Sequence, residues 1–245
     1  MSTQFNLLTE GKIPNYPNKI YADLFKVKQW RNLKVASKEG VDEVLIDCLD
    51  QVVDFPRTGI IKSVRELTPM DIKYLFFQQR VQCIGAEVNV DYTCNSCAVE
   101  GEEPKHTPSK IDMAKSIKEI YLKDKIKEDS FGSIKFRVPT FTDMKDYQEK
   151  LTRYLETIKD DGDPDFSESD LEMLAYYIYI KEPNMENFAE FKEFILDQEG
   201  TFLKAVGAFI GKTYHGFETI TSVKCRHCNK VGEVTVPLDV GFFLE

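Results

Sequence analysis

Histidine and tryptophan are nearly missing from this sequence, with three and one among 245 residues. So few histidines leave little imidazole for general-base chemistry or for several His-rich metal sites. Long apolar runs are missing too. The longest, Met173 to Ile180, falls far short of the roughly 20 residues a membrane-spanning helix needs. A basic excess is absent: 32 Lys and Arg face 41 Asp and Glu, a net charge of −9. That balance argues against a nucleic-acid surface as the main business of the chain. The first residues, Met1 to Asn6, have no basic stretch leading into an apolar one, so no signal peptide is expected. There is no phosphate-cradling glycine loop and no Gly-x-Ser-x-Gly elbow, so a hydrolase or transferase has no residues to rest on. His215 and His227 stand without a nucleophile context. The chain is therefore read as a non-enzyme.

Cysteine is present, and its arrangement is informative. Six cysteines in a chain with no expected export signal point to a reducing compartment, where Cys-x-x-Cys pairs are metal or redox sites. Four of the six form two such pairs, Cys94-Asn95-Ser96-Cys97 and Cys225-Arg226-His227-Cys228. Each follows a run that reads as a strand. Two cysteines three apart at a tight turn can aim both sulfurs at one ion, and two such hooks close a tetrahedral shell. Cys94, Cys97, Cys225 and Cys228 are thus the expected ligands of one structural zinc. The separation of the hooks is unusual. A ribbon normally leaves roughly 15–20 residues between them, whereas residues 98–224 intervene here. Separate ions would need further ligands, for which only His106, His215 and His227 are at hand. An iron–sulfur cluster also takes four thiolates. A redox dithiol would sit at a helix N-terminus, and neither hook reads that way.

Residues 1–19 are rich in Gly, Pro and Asn and read as an irregular arm. A short strand is predicted at Ile20–Phe25, with helices over about Lys28–Ala36 and Val41–Val53. Thr68-Pro69-Met70-Asp71 is a helix start, with Thr at the N-cap and Pro first inside, for a helix to about Cys83 that Gly85 ends. Strands are predicted at Val88–Thr93, near Ser109–Met113 and over Gly132–Pro139. Ser116–Asp129 carries no clear pattern. Further helices follow over Thr142–Ile158, from Ser167 with Asp170 completing the cap to a stop at Pro183, around Phe188–Ile195 and around Phe202–Ile210. Thr219–Lys224 and Glu233–Val236 read as strands, with Gly232 as the turn between them. The expected class is α+β, mostly helical, with a discontinuous zinc-ribbon-like element built from two Cys-x-x-Cys hairpins. Its halves are 87–113 and 219–245. A helical region, 20–86, precedes it, and a mainly helical insertion, 114–218, divides it.

Other signals read as bland. Asp161, Asp163, Asp165 and Glu172 imitate the spacing of a calcium loop, but Phe166 stands where glycine is required and Pro164 lies inside. Cys48 and Cys83 fall in apolar helical patterns and read as small buried hydrophobes. Trp30, Phe188, Phe191 and Phe194 read as core or subunit contacts. The apolar tail Val240–Leu244 is expected to be a docked strand or a partner anchor.

Several segments together carry a resemblance. They are Phe25-Lys26-Val27-Lys28-Gln29-Trp30, Leu67-Thr68-Pro69-Met70-Asp71-Ile72-Lys73-Tyr74-Leu75, the Cys94–Cys97 pair after its strand, Phe136-Arg137-Val138-Pro139-Thr140, and a late Cys pair before an aromatic terminus. In these the chain resembles the T-even-type phage baseplate hub assembly proteins, small hub-associated tail proteins of contractile-tailed phages. The resemblance spans nearly the whole chain. It implies a structural role in the central hub of the baseplate, with other hub or tail proteins as partners. It places the chain in the host cytoplasm during assembly and leaves open two later fates, a part of the tail baseplate or an assembly factor alone. The metal reading rests on this chain's own cysteines. Two other readings remain open at this stage. One is a zinc-ribbon nucleic-acid-binding or transcription-associated module, using Lys224, Arg226, His227 and Lys230. The other is a dithiol oxidoreductase.

Overall fold

The computed structural model describes residues 2–36, 41–55, 60–97, 105–161 and 167–236. In chain order the elements are β1 (Thr3–Asn6), β2 (Lys19–Ala22), α1 (Val27–Val35), α2 (Val41–Asp50), β3 (Val53–Asp54), α3 (Pro69–Cys83), β4 (Glu87–Thr93), β5 (His106–Asp112), α4 (Met113–Ser116), β6 (Lys118–Ile120), β7 (Ser130–Phe131), β8 (Ile134–Phe136), α5 (Phe141–Asp161), α6 (Glu168–Leu174), β9 (Ile180–Glu182), α7 (Phe188–Leu196), α8 (Gly200–Thr213), β10 (Gly216–Glu218), β11 (Ile220–Lys224) and β12 (Val231–Thr235). The architecture mixes helices with short antiparallel strand groups.

Helix α3 is the centre of the first core. Its Thr68 N-cap accepts the Asp71 N–H at 3.2 Å, and Pro69 occupies the first turn, where no N–H is needed. Ile72, Tyr74, Leu75, Phe76, Phe77, Gln79 and Arg80 are all buried, so the helix is enclosed on most sides. Phe5, Leu7, Leu8, Leu33, Ile46 and Leu49 pack into the same core. So do Val88, Val90 and Ile111 from the first hairpin and Val223 and Val236 from the last segment.

The reading of residues 1–19 as an irregular arm is corrected here. Strand β1 lies within it and pairs antiparallel with β2, which pairs in turn with β3. Phe5, Leu7 and Leu8 are fully buried. The turn residues are real, but they serve only the bend between β1 and β2, where Glu10, Gly11 and Asn15 take positive φ. Side chains more than sixty residues away hold the segment. The Asp71 carboxylate accepts from the Leu8 N–H at 2.6 Å and the Thr9 hydroxyl at 2.8 Å, and Gln78 donates to the Asn6 carbonyl.

A second core is built from residues 122–209. Leu122, Ile126, Ile134, Phe136, Leu174, Tyr177, Phe188, Phe191, Phe202 and Phe209 form it, under the sheet β7-β8-β9 and helices α5 to α8. The chain enters this region through β6 and leaves it through β10, and these two strands pair antiparallel. Phe217 of β10 stacks on Phe77 and packs at a tilt against Tyr74, which ties that neck to α3. The helix expected from Ser167 to Pro183 is shorter than its pattern suggests. Its cap is as read, with the Ser167 N–H donating to Asp170 at 2.7 Å. It then tightens into a 3₁₀ turn at Ala175–Tyr179 and becomes β9, which pairs with β8. The apolar run Tyr176–Ile180 serves a buried strand edge as well as it serves a helix, and tertiary pairing decides between them.

Helix α8 supplies a test of this packing. Gly207 has helical geometry, and a Cβ built on it meets nothing within 4 Å. Gly207→Ala is expected to raise stability by about 0.5–1 kcal/mol through the lost cost of helix-interior glycine. Urea unfolding reads this directly. A loss of stability would mean that another surface covers this face.

Candidate metal centre

Each hook continues one strand of an antiparallel hairpin. In the first hairpin β4 pairs with β5 in register from Glu87↔Asp112 to Thr93↔His106. The next N–H, that of Cys94, continues the ladder to the Lys105 carbonyl at 3.3 Å. A 3₁₀ turn over Asn95–Cys97 follows, closed by the Cys97 N–H on the Cys94 carbonyl at 3.1 Å. In the second hairpin β11 pairs with β12 from Ile220↔Thr235 to Lys224↔Val231. The Cys225 N–H then reaches the Lys230 carbonyl at 2.9 Å, and the Asn229 N–H reaches the Cys225 carbonyl at 3.0 Å. Asn229 takes φ +60°, which turns the chain back. Sequence reasoning assigned that turn to Gly232. Gly232 instead lies inside β12 opposite Val223.

The fold brings the hooks together tip to tip. The sulfurs of Cys94, Cys97, Cys225 and Cys228 all lie within 4.8 Å of one another. Two distances cross between the hairpins: Cys94 to Cys228 and Cys97 to Cys225, both 3.7 Å. A disulfide would hold its sulfurs at about 2.05 Å, and all four cysteines are free. A tetrahedron with zinc–sulfur bonds of about 2.3 Å has edges of about 3.8 Å. The donor set and its spacing therefore fit a four-thiolate ion. Cys94 and Cys225 are buried, at 1% and 0% exposure, while Cys97 and Cys228 are half-buried.

The surroundings suit thiolates. The His227 N–H donates to the Cys225 sulfur at 3.4 Å, and the hydroxyl of the fully buried Thr107 donates to it from β5 at 3.8 Å. The backbone N–H groups of Cys228 and His227 draw the Cys225 thiol down to about 6. Cys97 is pushed up to about 12, first by its contact with Cys228 and then by burial. Burial raises Cys94, and its hydrogen bonds with Cys228, the Ser96 N–H and Tyr92 more than offset it. Thr107 and Tyr92 escaped sequence reasoning. The available signal was position: Tyr92 stands two residues before Cys94, on the same strand face.

The three histidines lie elsewhere. His106 is exposed, 3.0 Å from Asp91 and 3.3 Å from Thr93. His215 is buried at the start of α3, where its ring bonds Thr68 at 2.9 Å and the Thr213 carbonyl at 2.8 Å. The His227 side chain is exposed. Among the described residues, the four cysteines form the one cluster of His, Cys, Asp and Glu ligands able to hold an ion. Asp163 and Asp165 of the calcium-like spacing, and the apolar tail 240–244, lie outside the described residues. Cys48 is buried in α2, as read, whereas Cys83 at the end of α3 is only half-buried. Among the described residues, no helix is long and apolar enough to cross a membrane.

Comparison with known proteins adds one finding. The family model described as T4 bacteriophage base plate protein matches residues 4–244, nearly the whole chain. No curated protein and no solved structure matches the chain. The full-length match agrees with the resemblance drawn from the Phe25–Trp30, Leu67–Leu75 and Phe136–Thr140 segments, and the chain belongs to the T4 bacteriophage base plate protein family.

Proposed function

We propose that this protein is a structural part of the phage baseplate hub, that one zinc ion held by Cys94, Cys97, Cys225 and Cys228 pins its fold, and that it acts through contacts with other hub or tail proteins. The observation that carries the metal reading is the pair of 3.7 Å sulfur distances between hairpins, which match a zinc–thiolate tetrahedron. Family membership supports the baseplate role. Bound there, zinc would supply cross-linking and no chemistry, because a closed four-sulfur shell leaves no position for substrate or water. A non-enzymatic reading follows. The chain is assembled in the host cytoplasm and carried in the tail. The zinc-ribbon-like element consists of two halves, around 87–113 and 219–245, with 114–218 inserted between them. The paired neck of β6 and β10 and the separate core of residues 122–209 support that division.

The test is metal content joined to partner binding. Purified protein is expected to carry one zinc per chain by mass spectrometry of the elements. A Cys225→Ser/Cys228→Ser variant should lose the metal and with it retention of a co-expressed hub or tail protein. Bound iron with visible absorption would replace zinc by a cluster. Retention of the partner by the metal-free variant would separate the metal from assembly. A second reading, nucleic-acid binding through the exposed Lys224, Arg226, His227 and Lys230, predicts affinity that falls steeply with salt.

A further inference from the structure

Gly232 occupies a position where glycine is costly. It sits inside β12, directly opposite Val223, and its φ is not in the left-handed region that would demand glycine. A glycine inside a strand weakens it and often marks the close approach of another group. Here the approaching group is Tyr92 of β4. A Cβ built on residue 232 would fall on the Tyr92 hydroxyl, with the ring carbons Cζ and Cε2 at 2.5 and 2.9 Å. The two hairpins meet face to face at this point. Alternation along β4 puts Val88, Val90, Tyr92 and Cys94 on one face, and Val223 and Cys225 share a face of β11. Tyr92 is therefore the last large side chain between the hydrophobic contact of the hairpins and the four sulfurs. Large is set against small beside the cysteines, where the two hairpins touch.

We propose that Tyr92, keyed into the gap at Gly232, is a positioning residue of the metal centre: it sets the separation of the hairpins at which the four sulfurs reach tetrahedral spacing. This rests on the metal reading above. The physical reason is tolerance. Metal–ligand distances hold to about 0.2 Å, whereas a methyl group at residue 232 must displace an aromatic ring or a whole hairpin. The sulfurs most affected are Cys94, which continues the strand β4 that carries Tyr92, and Cys225, which continues β11, the strand paired with β12.

Cobalt(II) titration of the metal-free protein tests the proposal, since a four-thiolate cobalt site has intense sulfur-to-metal absorption. The wild type is expected to show that spectrum. Gly232→Ala should bind cobalt at least about tenfold more weakly, the size typical of lost support around a metal site. In Gly232→Ala/Tyr92→Ala the clash is gone, so the double variant should bind no more weakly than Tyr92→Ala alone. Tyr92→Phe keeps the ring in place but loses the hydroxyl's bond to Cys94, so it should bind more weakly than the wild type and more tightly than Tyr92→Ala, which loses both. If Gly232→Ala does not fold, by circular dichroism, the Tyr92→Phe and Tyr92→Ala pair decides, as neither adds bulk. Wild-type affinity in both Gly232→Ala and Tyr92→Ala, equal losses in Tyr92→Phe and Tyr92→Ala, or fully additive losses in the double variant overturn the proposal and leave the metal site standing. Absence of the thiolate spectrum in the wild type overturns both.

Discussion

Stripping the metal from the purified protein is expected to lower its melting temperature by about 8–16 °C. A ligand present at 1,000 times its dissociation constant stabilises the folded state by about 4 kcal/mol. For a chain of this size each kcal/mol is worth about 2–4 °C. Zinc stabilises by this much when it binds the folded state alone, as the layout of the site favours. Cys94 and Cys228 are 134 residues apart in sequence, so the unfolded chain holds no four-sulfur cage. Each hook alone offers half a shell. Cys225→Ser in the presence of zinc should reproduce the stripped protein, because it removes one of the two fully enclosed ligands. Differential scanning fluorimetry with and without a strong chelator makes the measurement. An unchanged transition in the chelated wild type, with loss of metal verified, would show that packing alone holds the hairpins.

Replacing Asp71 by alanine is expected to cost about 3–5 kcal/mol, the range for breaking a buried charged network. The carboxylate is fully buried and accepts from the Leu8 N–H, the Thr9 N–H and the Thr9 hydroxyl. Each donor left unpaired in the interior costs about 1–3 kcal/mol. Water does not readily compensate, since Leu7, Leu8 and Thr9 are themselves completely buried. Asp71→Asn keeps an acceptor oxygen of the same shape and should cost roughly half as much, because charge-assisted bonds are about twice as strong as neutral ones. Urea unfolding of the three proteins gives the ranking. A loss below about 1 kcal/mol for Asp71→Ala would mean that the pairing of β1 with β2 holds the first residues unaided.

The same carboxylate shows where sequence reasoning stops. Thr68-Pro69-Met70-Asp71 is legible as a helix start because capping is a matter of nearest neighbours, and the Thr68 hydroxyl does accept from the Asp71 N–H. The Asp71 side chain belongs to a different, nonlocal contact. It holds a segment that, by its own Gly, Pro and Asn content, reads as irregular. The periodic helices are legible for the same local reason: Phe188, Phe191 and Ile195 all face one core from one turn-by-turn stripe. The end of the Ser167 helix is not, because the edge of β8 competes for residues 180–182.

Residue chemistry and short spacing by themselves determined the two hooks: three-residue separation at a strand end lets each Cys pair aim both sulfurs at one point. They also determined the acidic balance of the chain and the segments that carry its family resemblance. The tertiary structure alone decided that the hooks meet, that no histidine joins them, and that Tyr92 and Gly232 interlock beside them. Hydrogen bonds between near neighbours depend on the identity of a few adjacent residues. The approach of residue 94 to residue 228 depends on two cores and a paired neck, whose geometry no local pattern encodes.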